Sequence, residues 1–126
     1  MTRRAHLIAG LLAVGLARPV EACECVPAAG YTDEHIQSAL ATADAVVHAK
    51  VVSLAASNRE ARIMILESFK GQPSVLRAQA GDPGSCGTFF RAGEEAIYLV
   101  YAGEVSLCGR LPAQPDLLRQ LRAHKR

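Results

Sequence analysis

Four cysteines constrain this chain more than any other feature of its sequence. A Cys-x-Cys pair stands at Cys23 and Cys25, and two single cysteines, Cys86 and Cys108, lie far along the chain. Cys23 and Cys25 are too close together to bridge each other without forming a strained ring. If the cysteines form disulfides, Cys23 and Cys25 must therefore each pair with Cys86 or Cys108, and the residues leave both connectivities open.

The first 22 residues have the order of a secretory signal peptide. Two arginines near the start are followed by an unbroken apolar run, LIAGLLAVGLA at 7–17, and small residues stand just before Cys23. The run is shorter than the roughly 20 residues that span a bilayer. We expect export to an extracellular or periplasmic space, cleavage before Cys23, and one mature domain at 23–126. A buried N-terminal helix and lipid anchoring at Cys23 are the alternatives.

The net charge of the mature chain bears on whether the protein binds nucleic acid. The whole chain has 14 basic and 12 acidic side chains. Residues 1–22 hold three arginines and one glutamate, so the mature chain has 11 of each and is neutral. A neutral chain with few aromatic residues does not favour nucleic-acid binding.

An even number of cysteines in a small exported domain predicts disulfides. A four-cysteine zinc site is the competing interpretation, but such sites usually have two C-x-x-C pairs.

The pattern of apolar residues predicts short strands between two helices. Thr32 can cap a helix whose apolar face includes Ile36 and Ala39, and three leucines mark one face of the second helix. The predicted helices are 31–43 and 115–125, and the predicted strands are 45–56, 60–69, 75–80, 95–102 and 104–110. Five short strands with flanking helices predict a mainly β fold, a closed or nearly closed barrel of the OB-fold kind. A β-sandwich, which usually has about seven strands, ranks second.

No group of residues predicts an enzyme. Ser85 in DPGSCG does not fit the G-x-S-x-G pattern of a nucleophile elbow, because Pro83 stands where the first glycine is needed. The histidines of the mature chain are scattered, with no His-x-x-x-His pair to hold a metal. Glu94 and Glu95 are most simply a solvated turn at the start of a strand. We therefore expect no catalytic residue, no cofactor and no membrane span.

Cleavage after Ala22 would give the chain an unusual N-terminus. Cys23 would carry a free α-amine with a pKa near 8. The amine nitrogen and the carbonyl oxygen of the same residue can chelate one metal ion in a five-membered ring. Disulfides from Cys23 and Cys25 would hold these two atoms in one place.

These residues resemble the tissue inhibitors of metalloproteinases, whose N-terminal domain is a netrin-like OB-fold. The resemblance covers most of 23–110 and is carried by CECVP at 23–27, ADAVVHAKVV at 43–52, FKG at 69–71, SCG at 85–87 and AIYLVYAGE at 96–104. In the family, the first cysteine pairs with the cysteine of the SCG-like loop. The resemblance therefore implies the disulfides Cys23–Cys86 and Cys25–Cys108.

The resemblance also implies a function, inhibition of a zinc metalloprotease. The Cys23 amine and carbonyl would displace the water from the zinc of the target protease, in trans and through backbone atoms alone. The backbone of Cys25, Val26 and Pro27 would lie along the active-site cleft. A second lip would consist of Gly84, Ser85, Cys86 and Gly87.

The chain departs from the family at Glu24 and in lacking a third disulfide. The family usually has a small hydroxyl residue at this second position, where the side chain enters a mostly apolar pocket. Burial of an unpaired carboxylate there is costly. We expect a secreted monomer that inhibits a zinc metalloprotease. The alternative is an exported, disulfide-stapled binding module with no inhibitory activity.

Overall fold

A computed structural model describes residues 23–125 of the protein, so the predicted signal peptide at 1–22 lies outside the described residues. Two α-helices are present, α1 (Asp33–Thr42) and α2 (Pro115–His124). The strands are β1 (Ala45–Ala55), β2 (Glu60–Lys70), β3 (Val75–Ala78), β4 (Glu95–Val100), β5 (Glu104–Val105) and β6 (Arg110–Leu111). Short 3₁₀ turns occupy Ala28–Gly30, Pro83–Ser85 and Leu107–Gly109.

The strands form a single sheet that curls into a nearly closed barrel. Their order is β5-β3-β2-β1-β4-β6, and all neighbouring pairs are antiparallel except β3 with β5. The pairing of β1 with β2 contains three register shifts, which are the irregularities that bend and twist a sheet. A backbone hydrogen bond from Tyr101 N–H to the Glu104 carbonyl, 2.9 Å long, brings the end of β4 back to β5. The predicted mainly β barrel with two flanking helices is therefore confirmed.

The predicted fifth strand, 104–110, is wrong as a continuous element. It consists of β5, a 3₁₀ turn and β6, so the described residues contain six strands rather than five. Ser106 breaks the strand because its hydroxyl accepts a hydrogen bond from Gly109 N–H, at 3.1 Å. Gly109 also packs so closely that an added Cβ would lie 2.8 Å from the Leu99 carbonyl oxygen. The turn places Cys108 outside the sheet.

The interior of the barrel is filled by apolar side chains from both long strands. Val47, Ala49 and Val51 all point inward from β1, as their alternation predicts. Tyr98 from β4 and Phe90 from the preceding loop pack against them, with ring centroids 6.0 Å apart. This core fixes the strands from which the loops described below emerge.

The helices cover part of the outer face of the sheet. Ile36 from α1 and the predicted leucines of α2, Leu117, Leu118 and Leu121, pack with Phe69 in a second apolar cluster. The predicted cap of α1 is confirmed, since the Thr32 hydroxyl accepts a hydrogen bond from His35 N–H. None of the helices within 23–125 is both long and apolar enough to cross a membrane.

Candidate functional site

Two disulfides join the start of the described chain to two distant loops. Cys23 pairs with Cys86, with Cα atoms 5.4 Å apart, and Cys25 pairs with Cys108, with Cα atoms 5.0 Å apart. This is the connectivity that the family resemblance implies. All four cysteines are consumed, so the alternative of a four-cysteine zinc site is wrong. We call residues 23–27 together with 84–87 the terminal ridge.

The two loops that carry Cys86 and Cys108 lie next to each other. Leu107 N–H donates a hydrogen bond of 2.9 Å to the Cys86 carbonyl, which places Cys108 beside Cys86. Cys23 and Cys25 are two residues apart and can reach one loop each. The resulting bridges anchor the N-terminal segment at two adjacent points.

The loop at 81–87 has a compact, fixed shape. Asp82 organises it, because its carboxylate accepts a hydrogen bond from Ser85 N–H and its carbonyl accepts one from Gly87 N–H, both 3.0 Å long. Cys86 adopts a left-handed backbone conformation, with φ at 69°. Gly87 lies directly against Gly81, and a Cβ at Gly87 would clash with the Gly81 carbonyl. The glycines that the sequence places here are therefore required by close backbone contact.

The N-terminal part of the ridge is exposed in an irregular, extended segment. Residues 24–27 are all exposed, and Cys23 is half-buried. Within the described chain, the backbone of 24–26 makes no hydrogen bond with another backbone group, and the first in the segment is from Gly30 N–H to the Pro27 carbonyl at 2.7 Å. Apolar side chains are also exposed on and beside the ridge, Val26 by 38% and Phe89 by 40%. The segment thus presents unpaired backbone groups and apolar surface to a partner.

An arginine supports the 81–87 loop. Arg59, at the start of β2, donates hydrogen bonds to the carbonyls of Gln79, at 3.2 Å, and Gly81, at 3.0 Å. Its guanidinium carbon also lies 4.4 Å from the centre of the Phe89 ring, a cation–π contact. Arg59 therefore connects the loop to the barrel wall.

A second arginine joins the segments that follow the two bridged loop cysteines. Arg110 donates hydrogen bonds to the Thr88 hydroxyl and the Phe89 carbonyl, and its Nε lies 2.8 Å from a Glu94 carboxylate oxygen. The Tyr98 hydroxyl donates to the same Glu94 oxygen at 3.1 Å, and burial together with Glu94 raises the pKa of Tyr98 well above its ordinary value. The prediction that Glu94 belongs to a solvated turn is wrong, because its side chain is only 12% exposed. Sequence reasoning missed this network, since no motif marks Glu94 or Arg110.

The histidines of the described residues do not come together. His35 caps α1, His48 lies 2.7 Å from Glu95, and His124 lies 3.2 Å from Asp33. Across 23–125, no group of three or more histidine, cysteine, aspartate or glutamate side chains could hold a metal ion. The candidate site is therefore the backbone of the terminal ridge.

A scan of protein-family models found no match to this chain, and a search of curated proteins found none with significant similarity to it. What the ridge can do must consequently be inferred from its own residues.

Proposed function

We propose that the mature protein inhibits zinc metalloproteases through the terminal ridge. Cleavage after Ala22 gives Cys23 a free α-amine, and the amine nitrogen and carbonyl oxygen chelate the zinc of the protease. Catalytic zinc sites hold three protein ligands and one water and can expand to five ligands, so the two atoms could replace the water and both bind the zinc. The proposal depends mainly on one observation, the anchoring of Cys23 and Cys25 to two adjacent loops by separate disulfides.

The exposed backbone of the ridge suits a protease cleft. Proteins commonly bind an extended peptide by pairing its backbone with the edge of a sheet. Residues 24–26 have the unpaired backbone groups that such pairing needs. Of the second lip at 84–87, Gly84 and Ser85 are exposed, Cys86 is half-buried and Gly87 is buried, so Gly84 and Ser85 are the residues that would contact a partner. Binding in this manner places backbone atoms on the zinc in place of the water that would attack a substrate.

The disulfides contribute to affinity because they reduce the conformational entropy that the N-terminal segment loses when it binds. A free peptide terminus loses conformational entropy when it is fixed in a cleft. Cys23 and Cys25 are already tethered within three residues of each other, and the 81–87 loop is held by Asp82 and by close glycine contacts. The ridge is therefore preorganised before it meets a partner.

A one-residue extension tests the proposal. The mature protein is compared with a variant that carries one alanine before Cys23, against a panel of zinc proteases. The extension moves the amine away from the metal and leaves both disulfides intact. We expect the mature protein to inhibit at least one protease and the extended variant to lose at least about a hundredfold in affinity. If neither protein inhibits, or if both inhibit equally, zinc chelation by Cys23 is wrong.

Glu24 sets which proteases in the panel respond. The side chain is exposed on the ridge, and its carboxylate is costly to bury unless a cation pairs with it. Proteases with a cationic pocket beside the zinc should therefore bind best. Replacing Glu24 by Thr should tighten binding to proteases with an apolar pocket and weaken binding to those with a cationic one. An equal change for both classes would show that this side chain does not enter the pocket.

A binding module without inhibitory activity is the second candidate. It is favoured by the outer face of β1 and β2, where Val52, Met64 and Leu66 are 57%, 50% and 45% exposed. Such a module would bind a protein or glycan on the barrel face and would tolerate the alanine extension. In that case Cys23 would serve only to staple the barrel.

A further inference from the structure

A cavity lies between the helices and the end of β2. Its volume is about 540 Å³, and it is lined by Gln37, Leu40, Ala41, Phe69, Lys70 and His124. The cavity shares no residue with the terminal ridge. A volume of this size is within the range of small-molecule binding sites.

The walls of the cavity are partly apolar and partly polar. Leu40 and Ala41 come from the last turns of α1, and Phe69 comes from β2 and is 5% exposed. Gln37 and Lys70 place an amide and an ammonium group along the same cavity. A ligand that fits this arrangement has an apolar body and a polar head.

The charges of this region indicate the sign of the head. Arg122 forms an ion pair with Glu67, and His124 faces Asp33. Among the described residues, Lys70 forms no ion pair with a carboxylate, and the one hydrogen bond of its ammonium group is a long one of 3.4 Å to the Ala41 carbonyl. Lys70 also lines an adjoining cavity of about 370 Å³ together with Lys125. Lys125 already interacts with the Glu67 carboxylate, whereas Lys70 has no carboxylate partner within 23–125, so an anion is the complementary partner for the Lys70 ammonium.

We propose that this cavity binds a small amphipathic monocarboxylate. The carboxylate accepts hydrogen bonds from the Lys70 ammonium, and the hydrocarbon chain packs against Leu40, Ala41 and Phe69. The salt bridge replaces the weak contact of Lys70 with a helix carbonyl by a charge-assisted pair. The inference does not depend on protease inhibition.

Octanoate is a suitable probe, with 1-octanol as its uncharged counterpart of equal chain length. Each is titrated into the ¹⁵N-labelled mature protein while the backbone amide shifts are followed by NMR. We expect octanoate to shift the amides of 37–41 and 69–71, and octanol to bind at least about tenfold more weakly. Equal binding of the two probes would overturn the proposal, and so would octanoate shifts confined to other parts of the protein.

Two test variants and one control variant show which residues contact the probe. Lys70→Gln should weaken octanoate binding about tenfold and leave octanol binding unchanged. Lys50→Gln, an exposed lysine on the neighbouring strand β1, is the matched control and should change neither. Ala41→Leu keeps a good helix former at an exposed position of α1 and should block both probes by filling the cavity. Wild-type octanoate affinity in both Lys70→Gln and Ala41→Leu would place the ligand elsewhere and end the proposal.

Discussion

The barrel interior and the terminal ridge are held in place by opposite means. Inside the barrel, the side chains of Val47, Ala49 and Leu76 are each 0% exposed and are held by apolar packing. On the ridge, 24–27 are exposed and gain almost nothing from burial. Disulfides, a glycine-rich loop and hydrogen bonds from two arginines act there instead. An exposed surface cannot be fixed by burial, so covalent and polar contacts take the place of burial there.

The largest effect is expected from removing a disulfide of the ridge. Cys23 and Cys86 are 63 residues apart in sequence, and the loop-entropy relation gives about 4 kcal/mol for a loop of that size. Replacing both by Ala should lower the free energy of unfolding by about that amount in urea titrations. Replacing Cys25 and Cys108 by Ala is the matched comparison and should cost a similar amount, since the separation is 83. A loss below about 1 kcal/mol in both would mean that the two disulfides do not stabilise the fold as the loop-entropy relation predicts.

A somewhat smaller loss of stability is expected from the barrel interior. Leu76 on β3 is 0% exposed, and large-to-small changes at such sites cost about 3 kcal/mol through lost burial and a cavity. Leu76→Ala should lower the free energy of unfolding by that amount while leaving partner affinity per folded molecule unchanged. Val75→Ala, at the adjacent 37% exposed position, should change stability by less than about 0.5 kcal/mol. Loss of the ridge's binding in folded Leu76→Ala would show that the two regions are not independent.

A still smaller loss of stability is expected from replacing Arg110, which joins the segments that follow Cys86 and Cys108. Arg110→Met removes contacts with Thr88 and Phe89 and deprives the Glu94 carboxylate, at 12% exposure, of its cationic partner, leaving it the hydrogen bonds from the Tyr98 hydroxyl and the Arg91 N–H. We expect a loss of about 2 kcal/mol. Arg91→Met, an exposed arginine nearby, is the control and should be close to neutral. We attribute most of the loss to the Glu94 carboxylate, which has lost its cationic partner. Adding Glu94→Gln to Arg110→Met should therefore restore part of the lost free energy of unfolding. Strict additivity of the two changes would contradict this explanation.

The sequence predicted the barrel well because its signals are local and periodic. Alternating residues of β1 and the leucines of α2 each repeat at the spacing of their element, and burial follows directly. The strand predicted at 104–110 failed for a local reason, since the Ser106 cap and the close approach of Gly109 to Leu99 interrupt it. Neither contact is visible in a hydrophobic pattern.

The candidate site was predictable only in part. Cys-x-Cys at 23–25 restricted the pairing to two connectivities, and the family resemblance selected the one observed. Arg59 and Arg110 were not found, because each acts through distant partners that only the folded chain brings together. Arg59, for example, reaches Gly81, which is 22 residues away. Long-range polar contacts of this kind leave no spacing rule in a single sequence.

The central claim is that the exposed segment of the ridge is rigid before it binds anything. Backbone ¹⁵N relaxation of the mature, oxidised protein tests it directly at the amides of Glu24, Cys25 and Val26. If the two disulfides hold the segment rigid, all three amides should have order parameters of about 0.85, the value of rigid backbone, despite their exposure. Order parameters below about 0.6 would show a flexible terminus, and preorganisation by the two disulfides would then be wrong.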